Sequence, residues 1–150
     1  MALSVAAGTE SLHAYSLDDV DATQDLIFGA QHHIYTVLST FVYSVSIGTA
    51  GDTFQLAITG HDHHAGADTN ASIMVIAKVV SVAGQTFIFN DKFSFNGFEG
   101  VAYTEPLSSN AEQVAIAAQN SAVPQRYQYI PLDADVDCDI HVTFIDQNNA

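Results

Sequence analysis

Residues 132–144, LDADVDCDIHVTF, decide the fold class of this chain. Apolar side chains occupy every second position from Leu132 to Phe144, and polar side chains, among them Asp135 and Asp137, occupy the positions between. Successive side chains of a β-strand point to opposite faces, so a strand is the regular structure that separates the two sets. We therefore expect the apolar face to be buried and the aspartate face to be turned to solvent.

The same period of two recurs upstream of this stretch. Phe41, Tyr43 and Val45 alternate with serines, which predicts a half-buried strand whose apolar face lies in the core. Residues 53–59 repeat the pattern after a turn at 48–52. These two strands are expected to form a hairpin.

Three further stretches complete the predicted secondary structure. Residues 73–82, IMVIAKVVSV, are apolar at most positions, which predicts a strand that is covered on both faces. The dipeptide Asn96-Gly97 favours a type I′ hairpin turn, because both positions tolerate positive φ. Residues 109–120 fit two structures, a short helix opened by a capping box or an alternating strand, and the strand is favoured.

Short strands separated by frequent turn signals predict an all-β chain, folded as an antiparallel β-sandwich or jelly roll. Residues 26–150 are expected to form this single domain. Residues 1–25 show no sustained period and are interpreted as an extended N-terminal arm that becomes ordered on a partner. The apolar residues along this arm are the predicted partner-binding residues: Leu3, Val5, Leu12, Tyr15 and Leu17.

The charge balance restricts the partners. The chain has 17 acidic residues against three basic ones, for a formal net charge of −14. Nucleic acid is not expected to bind, because phosphate recognition needs clustered cations, and an anionic membrane surface is disfavoured for the same reason. Charged residues make up 13% of the chain, about half of the roughly 25% in typical domains. A surface with so few ions suits contact with other proteins, because little charge must be desolvated.

Cysteine content and the N-terminus indicate where the chain folds. Cys138 is the single cysteine, so an intrachain disulfide is excluded and folding in a reducing cytoplasm is expected. Its place on the apolar side of its strand predicts a core residue. The first residues have neither the basic start nor the apolar run of a signal peptide, and no stretch approaches the length of a membrane span.

Two groups of residues are candidate metal ligands. His61 and His63 are separated by one residue near a strand end, a spacing that jelly-roll oxygenases use, but the Glu that those enzymes add a few residues later is missing. The aspartates of 133–139 lack the Gly and Glu positions of a calcium-binding EF-hand loop. His61, His63, Asp135 and Asp137 are therefore minor candidates, and no metal or other cofactor is expected.

Motifs that would indicate an enzyme are missing from the sequence. It contains no nucleophile elbow, phosphate-binding loop or dinucleotide fingerprint, so the chain is not expected to be an enzyme. Three function classes remain: a virion structural protein, a β-sandwich that binds carbohydrate or another ligand, and a cupin-like metalloprotein that uses His61 and His63. The absence of Trp disfavours carbohydrate binding.

Three stretches follow one another in a characteristic order: HHIYTV at 32–37, FNDKFSFNGFEGVAYTE at 89–105 and DADVDCDIHVTFID at 133–146. In this order, over about residues 30–146, the chain resembles the small jelly-roll structural proteins of tailed-phage virions. The resemblance implies a capsid decoration or cement protein that binds the major capsid protein, commonly as a homotrimer, or else a neck or tail component. It also implies a location on the capsid surface of the virion, after synthesis in the host cytoplasm.

Overall fold

A computed structural model describes residues 8–61, 71–98, 109–111, 113–114 and 124–149. Within these residues the chain forms strands in the following order: β1 (Glu10–Val20), β2 (Gln24–Phe28), β3 (His33–Ser46), β4 (Thr53–His61), β5 (Ala71–Val80), β6 (Thr86–Phe89), β7 (Phe93–Asn96), β8 (Arg126–Pro131) and β9 (Asp137–Asn148). All of their pairings are antiparallel.

The strands form two sheets whose order is that of a jelly roll. In the first sheet the order is β1-β9-β3-β6, and β7 pairs with the other half of β3. In the second sheet the order is β2-β8-β4-β5. Consecutive strands repeatedly cross from one sheet to the other, as in the double Greek key of a jelly roll. The predicted all-β antiparallel sandwich is therefore confirmed.

The core lies between the two sheets. Cys138, Ile140, Val142 and Phe144 of β9 are buried there, as their alternation predicts, and Val136 is buried just before the strand begins. Large side chains from the second sheet fill the opposite side of the core: Phe54, Leu56, Tyr127 and Tyr129. Each such apolar side chain contributes about 1.5–3 kcal/mol on burial. Leu132 is exposed, because it lies in the turn before β9.

The prediction of an N-terminal arm over 1–25 is wrong for the described part of that segment. Residues 10–20 form β1, which pairs along β9 with Leu12 opposite Ile145 and Leu17 opposite Ile140. β2 starts at Gln24 in the second sheet. The inward positions of β1 include Ser11 and His13, so its hydrophobic alternation is weak, and pairing with β9 holds the strand in place. Residues 1–7 lie outside the described residues.

A β-bulge reverses the predicted faces of β3. The register against β9 shifts between Val37 and Ser39, which adds one residue to β3. Tyr35 and Val37 point inward before the bulge, and Thr40, Val42 and Ser44 point inward after it. Because a slip of one residue moves every side chain to the opposite face, the predicted burial of the aromatic face is wrong. The predicted hairpin is also wrong, since β3 and β4 lie in different sheets.

β5 differs from its prediction in position. Its apolar sequence predicted cover on both faces, but it is the edge strand of the second sheet, paired only with β4 among the described strands. The residues from 72 to 75 are all exposed, so both faces of this half of the strand are open. The prediction failed because hydrophobic composition alone does not distinguish a central strand from an edge strand.

The predicted turn at Asn96-Gly97 is also wrong. Asn96 ends β7 opposite Ile34. A type I′ turn needs positive φ at both central positions, but neither Asn96 nor Gly97 has one. Gly97 instead allows its backbone to lie close to that of residues 30–33. Its N–H donates to His33 O at 2.7 Å, and a Cβ at position 97 would overlap Ala30 O. At residues 110, 111, 113 and 114 the chain is helical, and Gln113 N donates to Ser109 O at 3.1 Å, so the favoured strand is wrong at this point.

Candidate functional site

The predicted metal candidates do not come together in the described residues. His61 ends β4, but its side chain and all of His63 lie outside the described part of the chain. Asp135 is exposed in the turn before β9, and Asp137 begins that strand. No group of three or more His, Cys, Asp or Glu side chains in the described ranges could hold a metal ion.

The predicted partner-binding residues fall into three groups. Leu3 and Val5 lie outside the described residues. Tyr15 and Leu17 pack against the core, so they are not available to a partner. The Tyr15 hydroxyl also donates to Leu26 O and ties β1 to β2. Leu12 points outward from β1 and is exposed.

Acidic residues gather where β1 ends and β9 begins. Asp19 N donates to Asp139 Oδ1 at 3.0 Å, while Asp137 Oδ1 has no hydrogen-bond partner in the described structure. Desolvation raises the pKa of Asp137, and repulsion from Asp19, Asp21 and Asp139 raises it further. The carboxylates at this end of the first sheet therefore repel one another at neutral pH.

Cys138 is a core residue, as predicted. It is fully buried, and its thiol accepts a hydrogen bond from the Tyr129 hydroxyl at 3.2 Å. Burial is the main cause that raises the pKa of the Cys138 thiol. A thiol held protonated in this way is a poor nucleophile.

The outer face of the first sheet carries an exposed apolar strip, formed by Phe41, Tyr43, Val45 and Ile88. Phe41 lies directly opposite Ile88 of β6, so their side chains are cross-strand neighbours on one face. Phe41 and Tyr43 are 39% and 41% exposed, a large fraction for aromatic side chains in the middle of a sheet. The β3 bulge is the cause of this exposure.

Polar residues border the apolar strip on its β9 side. The ring of His141 stacks on Phe41 with centroids 6.0 Å apart. His141 Nδ1 is 2.8 Å from Ser16 Oγ on β1. Asp139 lies opposite Tyr43. An apolar centre with a polar border is the usual arrangement of a protein–protein contact surface.

A second polar group lies at the end of the first sheet where β3 begins and β9 ends. His33 Nδ1 is 2.6 Å from Asp146 Oδ1, and Asp146 is only 1% exposed. Nearby on β1, Ser11 Oγ is 2.6 Å from His13 Nε2. A catalytic triad needs one imidazole that contacts both the serine and the carboxylate. Here they contact different imidazoles, so these residues do not form a triad: the His33–Asp146 pair joins β3 to β9, and the Ser11–His13 contact lies within β1.

Sequence reasoning missed this pair although a signal was present. The inward positions of β9 continue past Phe144 to Asp146, and an acid at a core position requires a partner. His33, which belongs to no recognisable motif, supplies that partner. Its partner is 113 positions away in the chain, which the local pattern does not reveal.

Comparison with known proteins adds no family assignment. Neither the scan against protein-family models nor the search of curated proteins finds a match for this chain. Within the described residues, no helix has the length and apolar composition needed to cross a membrane. The surfaces and polar groups described above are therefore the basis for assigning a function.

Proposed function

We propose that this chain is a non-enzymatic structural protein of a tailed-phage virion, where it decorates the capsid shell and binds the major capsid protein. It acts as a homo-oligomer on the capsid surface, after synthesis in the host cytoplasm. A neck or tail position would use the same surfaces. No cofactor, nucleic acid or membrane takes part in this function.

The observation that carries the proposal is the apolar strip of Phe41, Tyr43, Val45 and Ile88. Exposed aromatic and aliphatic side chains in one row contribute to binding when a partner covers them, at roughly 25 cal/mol per Å² of apolar surface removed from water. Aromatic residues are also enriched among the side chains that dominate interface energies. The rigid sheet pre-orders them, which lowers the entropy cost of association.

The distribution of charge supports the same conclusion. β3 and β6, which carry the strip, contain no Asp or Glu in a chain of net charge −14. A partner that covers the strip therefore contacts no carboxylate of β3 or β6, although Asp139 of β9 lies at the border, opposite Tyr43. The acidic residues around Asp19 and Asp137 lie beyond the polar border, at the rim of the surface.

Mass spectrometry of purified virions tests the proposal directly. The chain is expected in mature particles at a copy number comparable with that of the shell protein, whereas a neck or tail component would be present in few copies. Its absence from particles of the source virus would refute a virion role altogether.

A carbohydrate- or ligand-binding sandwich is the second candidate. It is favoured by one observation: Phe41 and Tyr43 project side by side from an open sheet face, as sugar-stacking aromatic residues do. Titration calorimetry with soluble oligosaccharides separates the two functions. Saturable binding that is lost in Phe41→Ala would favour the ligand-binding module over the virion protein.

A further inference from the structure

We propose that the protein segment which covers the apolar strip is cationic, and that it places an arginine side chain against Asp139 while its apolar side chains cover Tyr43 and Val45. This proposal rests on the proposed function, since it takes the strip as the binding surface and adds the chemistry of the partner.

Asp139 and Tyr43 are neighbours on the outer face of the first sheet. Cys138 and Ile140 are buried in the core, so Asp139 between them points outward. Asp139 lies directly opposite Tyr43 of β3, and the Cβ atoms of such a pair are about 4.5–5.5 Å apart. A side chain that covers the exposed ring of Tyr43 therefore also removes water from the carboxylate of Asp139.

The desolvated carboxylate of Asp139 needs a donor from the partner. Burial of an ionised carboxylate is costly unless a cation and hydrogen bonds compensate the lost water. Asp139 Oδ1 accepts a hydrogen bond from Asp19 N at 3.0 Å, but a carboxylate can accept about four. The strands of the first sheet contain no Lys or Arg. The countercharge must therefore come from the molecule that covers the strip.

Asp137 increases the need for a cation at this end of the strip. It lies two positions before Asp139 on the same face of β9, opposite Ser46 of β3. Its Oδ1 has no hydrogen-bond partner in the described residues, and desolvation and the neighbouring carboxylates raise its pKa. A cation beside Asp139 reduces the repulsion between these carboxylates. The net charge of −14 also attracts a basic segment from a distance.

Arginine fits this position better than lysine does. Its planar guanidinium can donate to a carboxylate in a fixed geometry and can stack on an aromatic ring. Asp139 and Tyr43 present an acceptor and a ring side by side. Phe41 and Val45, which are 39% and 40% exposed on the same strand, offer contacts to the apolar neighbours of that arginine.

A short peptide of leucine and arginine residues tests this chemistry on the full chain without viral shells. Its matched control is the same peptide with citrulline, the uncharged analogue of arginine, at each arginine position. Titration calorimetry should give at least about tenfold tighter binding of the arginine peptide, because close charge pairs contribute strongly at interfaces. Its affinity should fall as salt is added.

Isosteric variants locate the contact. Asp137→Asn combined with Asp139→Asn removes two carboxylates, and the amide oxygen introduced at position 139 can still accept from Asp19 N. The control combines Glu10→Gln with Asp91→Asn, which removes two charges from exposed positions at the far end of β1 and in the β6–β7 turn. We expect the first pair to weaken binding of the arginine peptide at least about tenfold and the control pair to change it little.

Binding to undecorated shells separates this proposal from the virion role. A chain that binds the arginine peptide as expected but does not bind shells would contradict the capsid role and support the cationic contact. Three results would overturn the cationic contact: equal binding of the arginine and citrulline peptides, equal peptide binding by the two double variants, or equal binding of the two double variants to shells.

Discussion

His33 Nδ1 and Asp146 Oδ1 lie 2.6 Å apart, where β3 begins and β9 ends, and join residues 113 positions apart in the chain. Asp146 is directly opposite Ser11 on β1 and Tyr35 on β3, so it occupies the middle of a three-strand row. A carboxylate so completely buried is tolerated because the imidazole of His33 compensates its desolvation. The pair therefore locks the closing strand β9 against β3.

Replacement of Asp146 by Ala should destabilise the fold strongly. Removal of one partner leaves His33 without its acceptor in a site that is almost closed to water, and we expect a loss of about 3 kcal/mol in the free energy of unfolding. Urea denaturation measures the loss. Asp91→Ala, in the exposed turn between β6 and β7, is the control and should change little. A loss for Asp146→Ala no larger than for Asp91→Ala would show that the pair does not stabilise the fold.

Leu17→Ala and Leu12→Ala compare the two faces of β1. Leu17 packs against the core and Leu12 points to solvent, so we expect a loss of about 1–3 kcal/mol for Leu17→Ala and less than about 0.5 kcal/mol for Leu12→Ala. Thermal melting of both variants measures the difference. Equal and small effects would mean that β1 is an arm after all.

Alkaline pH should unfold the chain cooperatively. Burial raises the pKa of Tyr127 from 10.0 to about 12, and burial together with the charge of Asp146 raises the pKa of Tyr35 to about 12. Between these values the folded chain keeps phenol protons that the unfolded chain loses. The free energy of unfolding therefore falls with pH, by about 1.4 kcal/mol per pH unit for each buried tyrosine.

Urea melts from pH 9 to pH 12, followed together with tyrosinate absorbance, test the alkaline transition. Stability should be constant up to about pH 10 and then decline, and tyrosinate should appear with unfolding. Tyr127→Phe removes one titrating group and should make the decline less steep. Ionisation of Tyr127 near pH 10 in a chain that stays folded would contradict the packing described for the core.

Asp137→Asn should stabilise the chain at neutral pH. Desolvation, with repulsion from Asp19, Asp21 and Asp139, raises the pKa of the Asp137 carboxyl above its ordinary value of 3.8. The folded chain then binds the proton more tightly than the unfolded chain, so stability falls as pH rises through this interval and stays lower above it. The gain from Asp137→Asn should be present at pH 7 and vanish below about pH 3.8. Lower stability of the variant at pH 7, with Asp91→Asn unchanged, would show that Asp137 makes a favourable contact.

The fold class was predictable because the alternation of apolar and polar residues in β9 matches the alternation of buried and less buried side chains from Val136 to Phe144. The sequence did not predict the faces of β3, because one inserted residue at the bulge near Leu38 changes the parity and leaves no trace in composition. It missed β1 for a related reason, since Ser11 and His13 occupy inward positions. The position of β5 at the edge of its sheet is set by pairing between distant strands. The local sequence therefore does not predict it.

The candidate site was harder to predict than the fold. The alternation around Phe41 and Tyr43 predicts that both side chains are buried in the core, and only the bulge exposes them. His33 and Asp146 were not connected, because a pair 113 residues apart follows from strand order alone. The predicted ligands His61 and His63 have side chains that lie outside the described residues.

Binding to undecorated shells of the source virus tests the central claim most directly. The double variant Phe41→Ser, Tyr43→Ser changes two exposed side chains, so it should melt close to the wild-type temperature. Phe28→Ser is the control, because Phe28 is an exposed aromatic residue in the second sheet. We predict that the double variant binds at least about tenfold more weakly, as expected for the loss of aromatic anchors, and that Phe28→Ser binds like the wild type. A folded double variant that binds the shells as tightly as the wild type would contradict the account.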